Sequence, residues 1–372
     1  MKKPKVTMGS MDFIMVAVLL CIIAIGVLMV YSSSSYVASF DPAYHNDSLY
    51  FAKRQMLFAC VGLICMFSLA NIDYHNIKKI TWIIMLATIV LLVAVFAFPP
   101  INGARRWIDL KITTIQPSEI AKYTVVLYMA KSIELKGEKI KNFLYGIFPY
   151  LLVAGLYAGL VLAEKNLSIC SVIMIVTLII LYTSGAKLSH MFSLLGTVGA
   201  VGVIFTISES YRLDRLMNFM NPWKDSKGKG YQLVQSLLAL GSGGVWGMGF
   251  GQSRQKCYYI PEPYNDFIFA IIGEELGLIG CCIIIILFLL LIWRGIRTAI
   301  NSKDIYGTLL ATGITSIIGI QAIINIAVVT GSMPVTGVPL PFISAGGSSL
   351  VLNMAAMGIL LNITRQTQKN NI

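Results

Sequence analysis

The sequence predicts an all-α polytopic membrane protein with about ten transmembrane helices and a large extracellular loop between helices seven and eight. Three observations carry that expectation. The chain has 372 residues, of which 56% are hydrophobic and only 12% charged, whereas a soluble domain carries about 25% charged residues. Apolar runs close to the roughly 20 residues that cross a bilayer recur along the chain. Lysine and arginine gather on alternate connections, as the positive-inside rule requires. The chain reads as one transmembrane domain over 1–372, with the large loop at 209–266.

Taken in order, the expected spans are 13–31, 51–70, 80–98, 119–131, 143–163, 167–184, 191–208, 267–293, 308–330 and 345–363. The first is too long for a signal h-region and has no A-x-A-like site, so no cleavable signal is expected. The fourth is short and polar at its start, where Pro117 suits the first helical turn. The eighth is long and carries Glu274 and Glu275. The large loop contains an expected amphipathic helix, Tyr231 to Leu240, then the glycine-rich run GSGGVWGMGFGQSRQK. No βαβ unit and no G-K-[ST] accompany those glycines, which argues against nucleotide binding. Between spans nine and ten, Pro334, Pro339 and Pro341 exclude regular helix. Irregular backbone at membrane depth is tolerated only where it is buried in protein or lines a cavity.

Ten spans put both termini on one side. Lys2, Lys3 and Lys5, the even-numbered connections, and Arg365 with Lys369 mark that side as cytoplasmic. The net charge of +12 is absorbed by this bias, and no nucleic-acid partner is implied. Two outer connections break the rule. One holds Arg105, Arg106 and Lys111; the other holds Arg212, Arg215, Lys224, Lys227, Lys229, Arg254 and Lys256. Such cations suit a phosphate or pyrophosphate group, and equally suit a solvated face near lipid headgroups. The seven cysteines lie mostly in apolar runs as small hydrophobes, and the three histidines show no metal-ligand spacing.

Asp266 is the strongest candidate for chemistry. It ends the polar loop before span eight, where a helix dipole favours its anionic form and partial burial opposes it. A carboxylate so placed serves as a general base; a plain N-cap aspartate has the same spacing. Glu274 and Glu275 lie deeper and on other faces of the helix, as structural or pairing residues. Glu119 and Lys122, three apart on one face, read either as a structural ion pair or as one that positions a catalytic group. Trp107 is an interfacial anchor or a sugar-stacking ring. Ser344, Ser348 and Ser349 are anion-binding hydroxyls or small residues of a tight turn.

Together these stretches resemble the SEDS family (shape, elongation, division and sporulation), which includes FtsW, RodA and SpoVE. The matching segments are GARRWIDL with IQPSEIAKY, GYQLVQSLLALGSGGVWGMGFGQSRQK with PEPYNDFIFAIIGEELG, and PVTGVPLPFISAGGSSL with LLNITRQ. The form GQSRQK before PEPYNDF is closest to the FtsW/SpoVE branch. One departure stands out. The family pattern E-P-D-L-G-T is replaced by Glu164-Lys165-Asn166-Leu167-Ser168-Ile169, so no role of that aspartate carries over.

The resemblance implies a peptidoglycan glycosyltransferase that polymerises lipid II for division, elongation or sporulation, with β-1,4 bonds formed and undecaprenyl pyrophosphate released. It implies Asp266 as the essential carboxylate, Glu119, Lys122 and Trp107 in support, and a class B penicillin-binding protein, a transpeptidase, as partner. Arg105, Arg106, Arg254, Lys256, Ser344 and Ser348 become candidates for holding the pyrophosphate. No cofactor is required by any motif. A divalent cation, magnesium or manganese, would suit a pyrophosphate, although no ligand cluster is visible. The other readings of the chain are a lipid II flippase and a non-catalytic scaffold for the transpeptidase. The concentration of polar residues in outer loops, and not along a path through the membrane, favours the enzyme.

Overall fold

The computed structural model describes residues 9–100, 103–110, 114–207, 217, 219–228 and 230–367. Eleven α-helices run through the described residues: α1 Phe13–Phe40, α2 Tyr50–Asn71, α3 Tyr74–Ala94, α4 Pro117–Lys136, α5 Phe148–Ala163, α6 Leu167–Thr183, α7 Leu188–Ile207, α8 Tyr231–Gly243, α9 Ile268–Ile300, α10 Ile305–Val329 and α11 Gly347–Thr367. Ten coincide with the expected spans, and α8 is the expected amphipathic helix. Seven helical stretches meet the length and apolarity needed to cross a membrane, while α6, at 17 residues, is shorter. The protein is a multi-pass membrane protein.

Where helices run past the expected ends, polar side chains explain it. α1 continues nine residues beyond Tyr31 through a serine run. Ser34 Oγ returns to Val30 O at 2.6 Å and Ser39 Oγ to Ser35 O at 2.8 Å, so these hydroxyls need no water. α3 starts at Tyr74 and not at residue 80 because Asp73 caps it, accepting from His75 N at 3.0 Å. The loop before α4 folds into a short antiparallel hairpin, with Ile108 opposite Ile115 and Asp109 opposite Thr114.

α9 is about 50 Å long at 1.5 Å per residue and is broken at Gly277, whose φ of 66° and ψ of −166° no other residue adopts comfortably. The glycine-rich run after α8 repairs the break. Met248 N donates to Glu274 O at 2.9 Å, Gly249 N to Glu275 O at 3.0 Å, and Leu278 N to Gly244 O at 2.9 Å. A Cβ at Gly247 would collide with the Glu275 carbonyl, so the two backbones touch only because both glycines are bare.

The ten span-matching helices bring the two ends of the described chain to one end of the bundle. At one end Arg294 grips Asp12 (Nε–Oδ2 2.7 Å), Tyr74 meets Asp304, and Arg365 Nε donates to Gly9 O at 3.1 Å. At the opposite end lie the α3–α4, α5–α6, α8–α9 and α10–α11 connections, and these build the site.

Candidate active site

Asp266 sits in a segment, Tyr264 to Asp266, clamped by two neighbours. Asn325 of α10 donates its Nδ2 to Asp266 O at 2.7 Å and to Val338 O at 2.8 Å, joining the segment to the proline-rich connection. That connection returns the grip: Ala345 N donates to Tyr264 O at 2.9 Å and Ser344 Oγ to Asn265 O at 2.7 Å. The Asp266 side chain is half-buried. It lies against Gly337, where a Cβ would stand 3.4 Å from Asp266 Oδ2, and Gly337 is left-handed with φ 72°. The N-cap of α9 is Phe267, so Asp266 lies one residue before the capping position.

Glu119 and Lys122 form the ion pair that their spacing suggests, at 2.8 Å and buried. Lys122 Nζ also donates to Gln321 Oε1 at 2.8 Å. Gln321 and Asn325 are four apart on α10 and so share a face. One helix face therefore carries both the clamp on Asp266 and the contact to the buried pair.

The α5–α6 connection closes a third side. Asn166 caps α6, its Oδ1 accepting from Ile169 N at 3.3 Å while its Nδ2 donates to Ser118 Oγ at 3.4 Å. The turn thus forms without the family's proline and aspartate, with Lys165 left-handed at φ 62°. Ser168 Oγ donates to Thr336 O at 2.5 Å, beside Gly337. Glu164, the last residue before this turn, is 1% exposed, and neither carboxyl oxygen has a hydrogen-bond partner. Burial pushes its carboxyl up to about 8; the Ser118 hydroxyl and Arg106 guanidinium oppose this without forming a well-shaped hydrogen bond to it. In the sequence this stretch is a departure from the family pattern, with Glu164 an acid at the edge of an apolar run.

The expected cations divide. Arg105 is exposed, its Nη1 donating to Phe96 O at 2.9 Å. Arg106 donates to Glu164 O at 3.3 Å and to Lys165 O, so it braces the α5–α6 turn from the hairpin loop. Trp107 beside it is half-buried, and Arg254 is exposed. Lys256 is not a surface cation: it is buried against Glu275 Oε1 at 2.9 Å and Gly251 O at 2.7 Å. Ser344 is likewise engaged, since it also accepts from Leu340 N at 2.8 Å. Ser348 is half-buried in the first turn of α11. Lys224 and Lys227 are exposed, whereas Lys111, Arg212, Arg215 and Lys229 lie outside the described residues.

Glu274 and Glu275 organise the loop. Glu275 accepts from Ser32 Oγ at 2.6 Å and Gly251 N at 3.0 Å; Glu274 accepts from Arg254 N at 3.0 Å and Ser253 Oγ. Two buried carboxylates thereby satisfy backbone and hydroxyl donors of the turn from Gly251 to Arg254. Among the described residues no three acids, histidines or cysteines converge as a metal would need. The donor set of the described residues does not fit a resident divalent cation.

Known proteins agree with this architecture. The family model for FtsW, RodA and SpoVE, described as cell cycle protein, matches residues 12–369. Stage V sporulation protein E of Bacillus subtilis (strain 168) is 42% identical over 364 residues, covering 96% of this chain and 98% of that protein. A probable peptidoglycan glycosyltransferase FtsW of Geobacter sp. (strain M18) is 40% identical, covering 95% and 96%. Among solved structures, a chain of a peptidoglycan synthase complex that coordinates polymerization and crosslinking superposes with a TM-score of 0.80 at 24% identity, covering 97% and 99%. The rod shape determining protein RodA of Thermus thermophilus superposes at 0.71, also at 24% identity. The structural matches establish the fold. With the family model spanning nearly the whole chain and relatives at about two-fifths identity, this protein belongs to the FtsW/RodA/SpoVE family.

Proposed function

We propose that this protein is a peptidoglycan glycosyltransferase that polymerises lipid II at the outer face of the cytoplasmic membrane. The observation that carries the proposal is the placement of Asp266. A half-buried carboxylate is held by its backbone between α10 and the proline-rich connection, at the entrance of α9, with Gly337 leaving room beside its oxygens. The relatives named as peptidoglycan glycosyltransferases supply the substrate class.

In the reaction, the Asp266 carboxylate takes the proton from the 4-hydroxyl of the acceptor sugar. That oxygen attacks the anomeric carbon of the donor, the carbon–oxygen bond to the pyrophosphate breaks, and undecaprenyl pyrophosphate leaves with the bonding pair. Attack opposite the leaving group inverts the α-linked donor to a β-1,4 bond. In this reading Arg105 and Arg254, both exposed, meet the leaving charge. Arg106 and Trp107 shape the same rim. Glu119 and Lys122 hold α4 against α10 through Gln321 and so position Asp266 indirectly. Lys256 and Ser344 serve as internal struts. Both termini are cytoplasmic in this reading, and a class B penicillin-binding protein crosslinks the product.

The test is polymerisation of labelled lipid II by the purified protein with its transpeptidase partner, the transpeptidase active site being blocked. Glycan strands are the expected product. Transfer of lipid II across vesicles without strand growth would make the protein a flippase. Strand growth that depends only on the partner would make it a scaffold.

A further inference from the structure

Three side chains near Asp266, those of Glu164, Thr336 and Asn325, carry buried oxygen atoms with unmet hydrogen-bonding capacity. Glu164 leaves both Oε1 and Oε2 unpartnered, Thr336 leaves Oγ1, and Asn325 leaves Oδ1. Buried polar atoms of this kind are rare in folded proteins and call for an explanation. The three sit on segments that hydrogen bonds tie together. Glu164 precedes the α5–α6 turn, whose Ser168 donates to the Thr336 carbonyl. Thr336 adjoins Gly337, which packs on Asp266. Asn325 holds the Asp266 and Val338 carbonyls with its other amide atom.

Every orphan is an oxygen: the asparagine Oδ1 can only accept, whereas the threonine hydroxyl and a neutral Glu164 carboxyl can also donate. The matching ligand therefore offers both donors and acceptors. A sugar ring with free hydroxyls and an N-acetyl N–H is such a ligand, whereas a hard cation would use the accepting oxygens alone. The surroundings favour the sugar. Arg106 and the buried Lys122 ammonium lie on neighbouring segments, the cap beside Glu164 is the neutral Asn166, and among the described residues no acidic triad forms. Burial raises the Glu164 carboxyl's pKa, which favours its neutral form. We propose that Glu164, Thr336 and Asn325 form a sugar-binding subsite next to Asp266, with Glu164 as its main hydrogen-bonding residue. This rests on the glycosyltransferase reading above and adds binding residues to it.

The experiment is steady-state polymerisation of lipid II by the full-length protein with its partner. It compares wild type, Asp266→Asn, Glu164→Leu, Glu164→Gln and Thr336→Val, each with a thermal unfolding curve. If wild type makes no glycan, the enzymatic reading fails and the subsite falls with it. If wild type is active and Asp266→Asn is not, the variants judge the subsite alone. Expected is a rise of about tenfold in KM for Glu164→Leu, with kcat within about threefold, as befits loss of a buried hydrogen bond to substrate. Glu164→Gln, which keeps an acceptor and a donor, recovers most of that loss. Thr336→Val, which removes only the hydroxyl, raises KM by about threefold or more even if Glu164→Leu fails to fold. Unchanged KM in folded Glu164→Leu and in Thr336→Val overturns the proposal. A Glu164→Gln defect reversed by millimolar magnesium or manganese also overturns it, by showing a cation at the site.

Discussion

At the scale of single residues, Glu164 is a buried acid whose charge the fold disfavours. An acid sealed from solvent without a partner destabilises the fold whenever it ionises. Its carboxyl ordinarily titrates near 4.5 and is raised to about 8 in the folded protein. The folded state therefore binds more protons than the unfolded chain between those values, and stability falls as pH rises through that window. Unfolding midpoints of wild type in detergent are expected to drop from about pH 5 to about pH 8. Glu164→Gln, which cannot ionise, is expected to lose less over the same range; an identical drop in both would show that Glu164 is not the group titrating. The sequence singles out Asp266 because a polar loop ends on it before a long apolar run. It does not single out Glu164, because its burial depends on Ser118 and Arg106, which lie some 50 residues away and reach it only in the fold. Lys256 departs from its expected surface role because the glycine-rich loop folds back and seats its ammonium against the buried Glu275 of α9.

At the scale of elements, the spans were read from apolar runs and the ends were not. α1 and α3 overrun their expected bounds because Ser34, Ser39 and Asp73 satisfy backbone or terminal groups locally. The break in α9 at Gly277 was hidden within a continuous hydrophobic stretch. Its conformation excludes a side chain twice, by φ and by contact with the Gly247 backbone. Gly277→Ala is expected to destabilise by about 1–3 kcal/mol or more, read as a lowered midpoint in thermal unfolding. A midpoint equal to wild type would show that the helix runs straight. The Lys256–Glu275 pair offers a second check at this scale. Lys256→Met leaves a buried carboxylate short of its cation and is expected to cost about 3–5 kcal/mol, and adding Glu275→Gln should restore part of it. Additive losses in the double variant would mean that the two groups do not interact.

At the scale of the whole molecule, the number of spans and the clustering of loops at two ends followed from composition and charge pattern. The assembly of the site did not, because it needs four connections from distant parts of the chain to meet. Sidedness is open to direct measurement. In a cysteine-free background, single cysteines at Gly103 and Lys165 are expected to react with a membrane-impermeant maleimide added to intact cells, and a cysteine at Ser302 is expected to react only after lysis. The reverse pattern would place the site in the cytosol and end the account. The most direct measurement of the central claim is strand synthesis from labelled lipid II by purified Asp266→Asn protein beside wild type, with partner crosslinking blocked. Loss of a general base predicts a rate lower by about 10²–10⁴-fold with the unfolding midpoint retained. Strands made by that variant at the wild-type rate would contradict it.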